Sequence, residues 1–363
     1  MAITEIIDAK MPSLTEWLEK IGYGQAAEFR AEDNSKRDRL EILFQEIGLP
    51  YDRSERMTAR DIVNNTPLFQ SIVAKKGNLK CALRLVPTKS DLPKLRQRGQ
   101  TLNEYLNGWF KTLNIDPDDY KVEVVPHNEI TLFSTIFIVD NNGAWGDIIA
   151  GSHWHLSQGI YETTPLAFSF DFKNWHWSNT DKEAQACMEQ ALSMIKVADA
   201  SKQKVLQDKL GAEFNSAGHL KGYFEFIVWP ETGISYIDYN RLLYKILGGK
   251  MPAIEMIGAD KLSGVCACPG VAQGKVRIVF DPKNTDFSTG EILVCPMTMV
   301  DYVPLMQKAV GIITEQGNIL SHAAIVSREL DKPCLVGVKN ATTLLKNGNL
   351  IELDADKGSI KML

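Results

Sequence analysis

The stretch that decides the reading is EQGNILSHAAIVSREL, Glu315 to Leu330. It holds one of the chain's six histidines, with Gly317 five residues before His322 and Ser321 directly before it. That order predicts a tight turn, an N-cap at Ser321 and a helix that begins at His322. Free backbone N–H groups and the macrodipole at such a start favour an anion. The same positive end disfavours imidazolium, so the ring stays neutral near pH 7, the form that acts as a nucleophile. A phosphoryl group taken by a ring nitrogen would be stabilised there. The small Ala323 and Ala324 leave room for it. On this setting alone, a histidine that serves only the helix end is at least as good a reading.

Outward from this stretch, the C-terminal third is rich in short strands: GKVRIVF, EILVCPM, GIITE, LVGV, LIELD and GSIKML. Before it, LGGKMPAIEMIGADKLSG (Leu247–Gly264) combines glycines with a proline and reads as a boundary and hinge, centred on Gly248-Gly249 and Pro252. The middle of the chain alternates strands and turns: KCALRLV, YKVEVV, ITLFSTIFIVD, then Asn141-Asn142-Gly143. Asp181–Leu210 predicts a long amphipathic helix or a helix pair, and GYFEFIVW and ISYIDYN a hairpin around Pro230–Gly233. The first 75 residues read as helical, in SLTEWLEKIGYG (Ser13 as N-cap) and RDRLEILFQEIGL, until Pro50 breaks the pattern.

A chain of 363 residues with 44% hydrophobic content suits two or three domains, each with its own core. A net charge of -5 without a basic tract argues against nucleic acid or an anionic membrane as partner. No apolar run approaches the ~18 residues of a membrane span, and the acidic start MAITEIIDAKMPSL is no signal peptide. The cysteines at 81, 187, 266, 268, 295 and 334 form no CxxC pair. They read as reduced thiols of a cytoplasmic protein, with a zinc or disulfide site as the alternative.

The ordered series CPGVAQGKVRIV, Pro296-Met297-Thr298, Asp301, Pro304, Thr314-Glu315, Gly317, Ser321-His322-Ala323-Ala324 and Arg328 resembles the swivelling phosphohistidine domain of PEP synthase, pyruvate phosphate dikinase and their relatives. The resemblance covers roughly residues 256–363 and implies that His322 is phosphorylated during turnover. Two positions depart from it. Asn318 stands where a second glycine is usual, and Asn tolerates a left-handed turn. Leu320 stands where many members have threonine.

Upstream, LRLVPTKSDLPKLRQRGQTLNEYLN is similar to a segment of the nucleotide-binding half of the same enzymes, with Arg84, Asp91, Pro93 and Gly99 at its spacing. The resemblance implies that Arg84 holds nucleotide phosphates, a role suited to a planar fork that is always charged. TIFIVDNNGAWGDIIAG resembles a strand and turn of that half. The strands with Glu225 and with Asp238-Tyr239-Asn240-Arg241 look like the metal-binding end of an ATP-grasp fold. There Glu225, Asp238 and Asn240 would hold Mg²⁺ against ATP and Arg241 would lie near the phosphates, since hard oxygen ligands suit that ion. A solvent-facing glutamate and an ordinary strand-end arginine remain the plain readings of Glu225 and Arg84.

The glycine-rich segment with a nucleotide lysine is not found. Lys80, on the strand of Arg84, is the first substitute, with Lys75 and Lys76 behind it. The expected fold is therefore α/β (α+β): a helical segment at 1–75, an ATP-grasp-like nucleotide-binding domain at 76–246, a hinge at 247–255 and a β/β/α swivelling phosphohistidine domain at 256–363. The barrel that binds PEP or pyruvate would follow Leu363, so a one-chain PEP synthase is not expected. The expected activity is an ATP-dependent, dikinase-type phosphotransfer through His322 to a small-molecule acceptor, an amide or amino acid among the options, leaving AMP and phosphate. The layout resembles rifampin phosphotransferase, phenylphosphate synthase and the glutamine kinase of capsule biosynthesis. Two alternatives stay open: one subunit of a split complex with a partner chain, and a non-catalytic nucleotide-binding pseudo-kinase. His153-Trp154-His155 and Trp175-His176-Trp177 read as aromatic packing, with an acceptor pocket as the rival reading.

Overall fold

The computed structural model describes residues 24–89, 92–127, 130–151, 156, 165–247 and 262–363. The expected helix from Ser13, Asp91, His153-Trp154-His155 and the hinge at Gly248-Gly249 and Pro252 lie outside these residues.

Two helices, α1 (Ala26–Asn34) and α2 (Lys36–Ile47), open the described chain. Gly48 ends α2 in the left-handed conformation, φ 73°, which costs glycine nothing. The region before residue 76 is not a separate helical unit. Glu55–Thr58 forms strand β1, which pairs antiparallel with β4 (Tyr120–Pro126). The four residues ERMT carry no detectable period, which is why they read as part of a helical stretch. Helices α3 (Ala59–Val63) and α4 (Pro67–Lys76) follow, then β2 (Lys80–Pro87), β3 (Leu95–Thr101) and α5 (Leu102–Asn107). The resulting sheet has the order β1-β4-β2-β3. Along β2, Cys81, Leu83 and Leu85 enter its core with Met57, Val122 and Val124, while Lys80, Ala82 and Arg84 take the opposite face.

The second sheet is larger: β5 (Phe133–Val139), β6 (Ala144–Ala150), β7 (Leu166–Phe170), β8 (Trp175–Trp177), β9 (Glu213–Phe214), β10 (Leu220–Trp229) and β11 (Gly233–Asn240). Its order is β11-β10-β5-β6-β7-β8, with β9 on β10. The predicted hairpin is β10–β11. The predicted 181–210 helix is a pair, α6 (Lys182–Met194) and α7 (Ala200–Leu210), capped by the side chains of Asp181 and Asp199. The pair covers one face through Phe137, Phe224, Phe226, Met188 and Leu192, and α2 adds Leu40 and Leu43 to the same core. Trp175 stacks on Phe170 at 4.5 Å and on Trp177 at 5.5 Å, so this aromatic run packs as expected. A short α8 (Leu243–Leu247) closes the region.

The third sheet contains β12 (Val265–Cys268), β13 (Val271–Ile278), β14 (Ile292–Cys295), β15 (Gly311–Thr314), β16 (Cys334–Val336), β17 (Leu350–Asp354) and β18 (Ser359–Met362). Its order is β12-β16-β15-β14-β13-β17-β18, with the four central strands parallel. Helices α9 (Val303–Lys308), α10 (His322–Glu329) and α11 (Ala341–Leu344) connect them. The chain is α/β, as the sequence implied. Its cysteines are free. No helix among the described residues is long and apolar enough to cross a membrane.

Candidate active site

Residues directly opposite each other on antiparallel strands share a face. Asp238 on β11 is opposite Glu225 on β10, Glu225 is opposite Ile136 on β5, and Ile136 is opposite Asp147 on β6. These four side chains form one row across the second sheet, on the face turned away from α6. In the next row, Asn240 is opposite Tyr223, and Tyr223 is opposite Ile138.

The β11 end of the face is charged. Asp238 is 7% exposed, and its Oδ1 has no hydrogen-bond partner. Lys36, the first residue of α2, donates from Nζ to Asp238 Oδ2 at 3.3 Å and lies 3.5 Å from Asp33. Lys94, directly before β3, donates to Asp33 Oδ2 at 2.6 Å, which links the edge of the first sheet to this cluster. Arg84 projects from β2 into the same field, near Arg37, Asp52, Glu123 and Asp33. Burial lowers the pKa of Lys36, but Asp238 and Asp33 outweigh it and the net shift is upward. Asp238 is also raised, first by burial and then by Glu225 opposite, despite Lys36. Lys36 and Arg39 thus counter the Asp238 charge without overcoming the cost of its burial.

Behind the cluster, Arg37 holds α2 to Asp52. Its Nη2 donates to Oδ2 at 2.8 Å, its Nη1 to the backbone oxygen at 2.8 Å, and both groups are buried. Tyr223 donates its hydroxyl to Glu225 Oε1 at 2.5 Å.

The structure places the remaining expected residues elsewhere. Arg241 is committed to buried Glu32: Nε donates to Oε1 at 3.0 Å, Nη2 to Oε2 at 2.5 Å, and its backbone N–H to Oε1 at 2.7 Å. Its Nη1 donates to the Leu210 carbonyl. It ties the end of β11 to α1 and has little left to offer a phosphate. Lys80 is exposed at the start of β2, four residues and about 13 Å along the strand from Arg84. Lys75 and Lys76 lie in the last turn of α4. Asn240 Oδ1 accepts from Leu242 N and Leu243 N, each at 2.9 Å, and so caps the turn into α8. No cluster of three or more His, Cys, Asp or Glu side chains is preassembled for a metal among the described residues. The charged residues that sequence reasoning missed are Lys36, Lys94 and Asp33. Each sits far from Glu225 and Asp238 in sequence, and only the tertiary fold unites them.

At the other element of the site, His322 opens α10, and Ser321 caps it as predicted, Oγ accepting from Ala324 N at 3.5 Å. Gly317 has φ 120°, and a Cβ there would come within 3.1 Å of Ser321 Oγ and 3.5 Å of Thr314 Oγ1. The turn therefore requires glycine. Asn318 makes no use of the left-handed conformation that Asn tolerates. It shapes the loop through its side chain instead: Oδ1 accepts from Leu320 N at 2.9 Å, and Nδ2 donates to the Leu156 carbonyl at 3.2 Å. Glu315 Oε1 accepts from Thr342 N and Oγ1 at 2.7 and 2.6 Å and pins the other flank. The buried hydroxyls of Thr314 and Thr298, at or just beyond the carboxyl ends of two adjacent parallel strands, have no partner.

Residues 287–358 match the family described as PEP-utilising enzyme, mobile domain. The C-terminal part of the chain is such a mobile domain. The probable phosphoenolpyruvate synthase of Archaeoglobus fulgidus is 36% identical over 173 residues, which is 45% of this chain and 23% of that protein. The uncharacterized phosphotransferase YvkC of Bacillus subtilis is 41% identical over 121 residues, 31% of this chain and 15% of its own length. The matched stretches thus span less than a quarter of these relatives. Among solved structures, the D-alanine-D-alanine ligase of Coxiella burnetii is 12% identical, with a TM-score of 0.31 over 57% of this chain and 47% of that one.

The mobile domain is docked on the second sheet. Ile319, Leu320 and Ile325 are buried in one cluster with Ile136, Ile138, Trp145, Ile149, Tyr223 and Leu243. Burial of each such aliphatic side chain is worth on the order of 1.5–3 kcal/mol. The cluster lies on the face that carries Glu225 and Asp238, beginning one strand away at Ile136. Within it, Asp147 is 4% exposed, its Oδ2 lacks a partner, and burial pushes its pKa up to about 7.

Proposed function

We propose that this chain is a phosphotransferase that passes a phosphoryl group from ATP through His322 to a small-molecule acceptor, leaving AMP and phosphate. The observation that carries the reading is the docking of the start of α10 on the sheet face that bears Glu225 and Asp238, beside Lys36, Lys94 and Arg84.

Glu225 and Asp238 are the pair fitted to hold Mg²⁺, because the two carboxylates are opposite each other on β10 and β11 and Asp238 Oδ1 is buried and unpartnered. Bound there, the ion would offset phosphate charge, and nucleotide oxygens and water would complete its shell, as this ion prefers. Lys36, Lys94 and Arg84 bind and orient the nucleotide phosphates. The neutral imidazole of His322 supplies the lone pair that forms the N–P bond, and the leaving oxygen departs with its electrons. The β-phosphoryl stays on His322. AMP leaves with the oxygen that bridged the α- and β-phosphorus; water then attacks the γ-phosphorus, breaks the β–γ bond and leaves its oxygen on the released phosphate. A helix start such as that of α10 favours the negative charge that a phosphoryl group would bring to its first residue.

The acceptor is a small polar metabolite, an amide or amino acid among the classes to screen. ATP labelled at the β or γ position tests the scheme. The β label is expected on His322 and absent from His322→Ala. If neither label appears, and His322→Ala leaves ATP turnover untouched, the scheme fails. A protein that binds ATP without labelling His322 is the non-catalytic reading. A label that leaves only when a second polypeptide is added is the split-complex reading. AMP release screened against a metabolite panel identifies the acceptor.

A further inference from the structure

We propose that Leu320 and Asn318 are positioning residues that hold the histidine-bearing helix at the nucleotide station, so that the docked arrangement is the resting state. The effect on labelling rests on the proposed function; the docking itself does not.

Leu320 is 4% exposed although it lies in a loop, and it is buried in a cluster with side chains of the second sheet, α1 and α8 rather than in the core of its own domain. Asn318 acts in two directions at once. Its carbonyl oxygen fixes the backbone of Leu320, and its amide reaches out of the mobile domain to the carbonyl of Leu156. One side chain therefore sets the shape of the loop and ties it to the opposite surface. That surface is unsuited to water: Ile136, Ile138, Trp145 and Ile149 form an apolar strip around the single acid Asp147 and are buried in the cluster that holds Leu320. The strip also starts beside the charged groups. Ile136 is opposite Glu225, and the Tyr223 ring, itself part of the strip, hydrogen-bonds Glu225. Seating Leu320 on the strip thus sets the distance from the start of α10 to the two carboxylates.

The test compares Leu320→Asp with Leu320→Met in the full chain. Hydrogen exchange of residues 144–150 and 319–326 reads docking directly, and ATP affinity and the single-turnover rate of His322 labelling are measured on the same samples. In Leu320→Asp, 144–150 is expected to lose protection and labelling to slow by about 100-fold, the scale of a misplaced reacting group. ATP affinity is expected to hold within a few-fold, and Leu320→Met to restore both readouts. A merely structural role would move ATP affinity together with rate. Unchanged protection of 144–150 in Leu320→Asp, or labelling at the wild-type rate, overturns the proposal. If wild-type protein is never labelled, the proposed function fails while the exchange arm still decides docking. If Leu320→Asp does not fold, Leu320→Ala and Asn318→Ala give the same readouts, and protection equal to wild type in both overturns it.

Discussion

Two ends of one sheet face are built from opposite materials. At the β11 end the face carries Glu225 and Asp238, countered by a lysine from α2 and left with an unpartnered oxygen. Toward β6 the same face carries Ile136, Ile138, Trp145 and Ile149, buried in one cluster with side chains of α1, of α8 and of the loop and helix around His322, more than 150 residues further along the chain. The apolar end is satisfied from within the molecule. The charged end is satisfied only in part. A buried carboxylate oxygen without a partner is costly, and the proposed function puts a ligand at that end.

Four perturbations separate the ends, in order of expected effect. Arg37→Ala strips the anchor of α2 and leaves Asp52 buried without its partner. Stability should fall by about 3–5 kcal/mol, read in denaturant unfolding; a loss near zero would mean that α2 is held by its apolar contacts alone. Asp238→Asn keeps the shape of the charged end and removes one charge. His322 labelling should slow by about 10²–10³, as for loss of one preorganised electrostatic contact, with hydrogen exchange at 144–150 of the nucleotide-free protein unchanged, because the Tyr223–Glu225 bond is kept; lost protection there would show that Asp238 itself supports the docked loop. Lys36→Ala should weaken ATP binding by roughly 10- to 100-fold, the worth of a hydrogen bond to a charged group, measured by calorimetry. An equal loss in Lys80→Ala would move the nucleotide along β2.

The smallest effect belongs to Asp147, the one acid in the apolar strip. Its pKa is raised to about 7 by burial, against about 3.9 in an unfolded chain. Between those values the folded protein keeps a proton that the unfolded chain releases, so stability falls as pH rises through this window and levels off above it. Asp147→Asn cannot titrate. It should match wild type near pH 4 and exceed it by at least ~1 kcal/mol at pH 8. A difference that stays the same from pH 4 to pH 8 would show that folding does not raise the Asp147 pKa.

Local features were legible in the sequence; convergence was not. Ser321 as cap, the hairpin carrying Glu225 and Asp238, and the helix pair after Asp181 each follow from residues within one turn or two strands of one another. Lys36 sits in an amphipathic helix beside Arg37 and Arg39, and nothing in its neighbours distinguishes it. Its role depends on α2 reaching β11 across some two hundred residues. Arg241 follows Asn240 directly and was drawn to the nucleotide by that adjacency, but buried Glu32 claims it. Lys80 shares a strand face with Arg84, and period alone could not show that four residues put it out of range. Leu320 stood out only as a missing hydroxyl, because the surface that explains it lies on β5 and β6.

Tyr223 belongs to both ends at once: its ring is part of the apolar strip and its hydroxyl holds Glu225. A side chain shared by two equilibria links them, and such linkage is reciprocal. Whatever factor nucleotide contributes to closure of the mobile domain, closure returns to nucleotide affinity. Removing the Tyr223 hydroxyl would leave two processes that no longer inform each other.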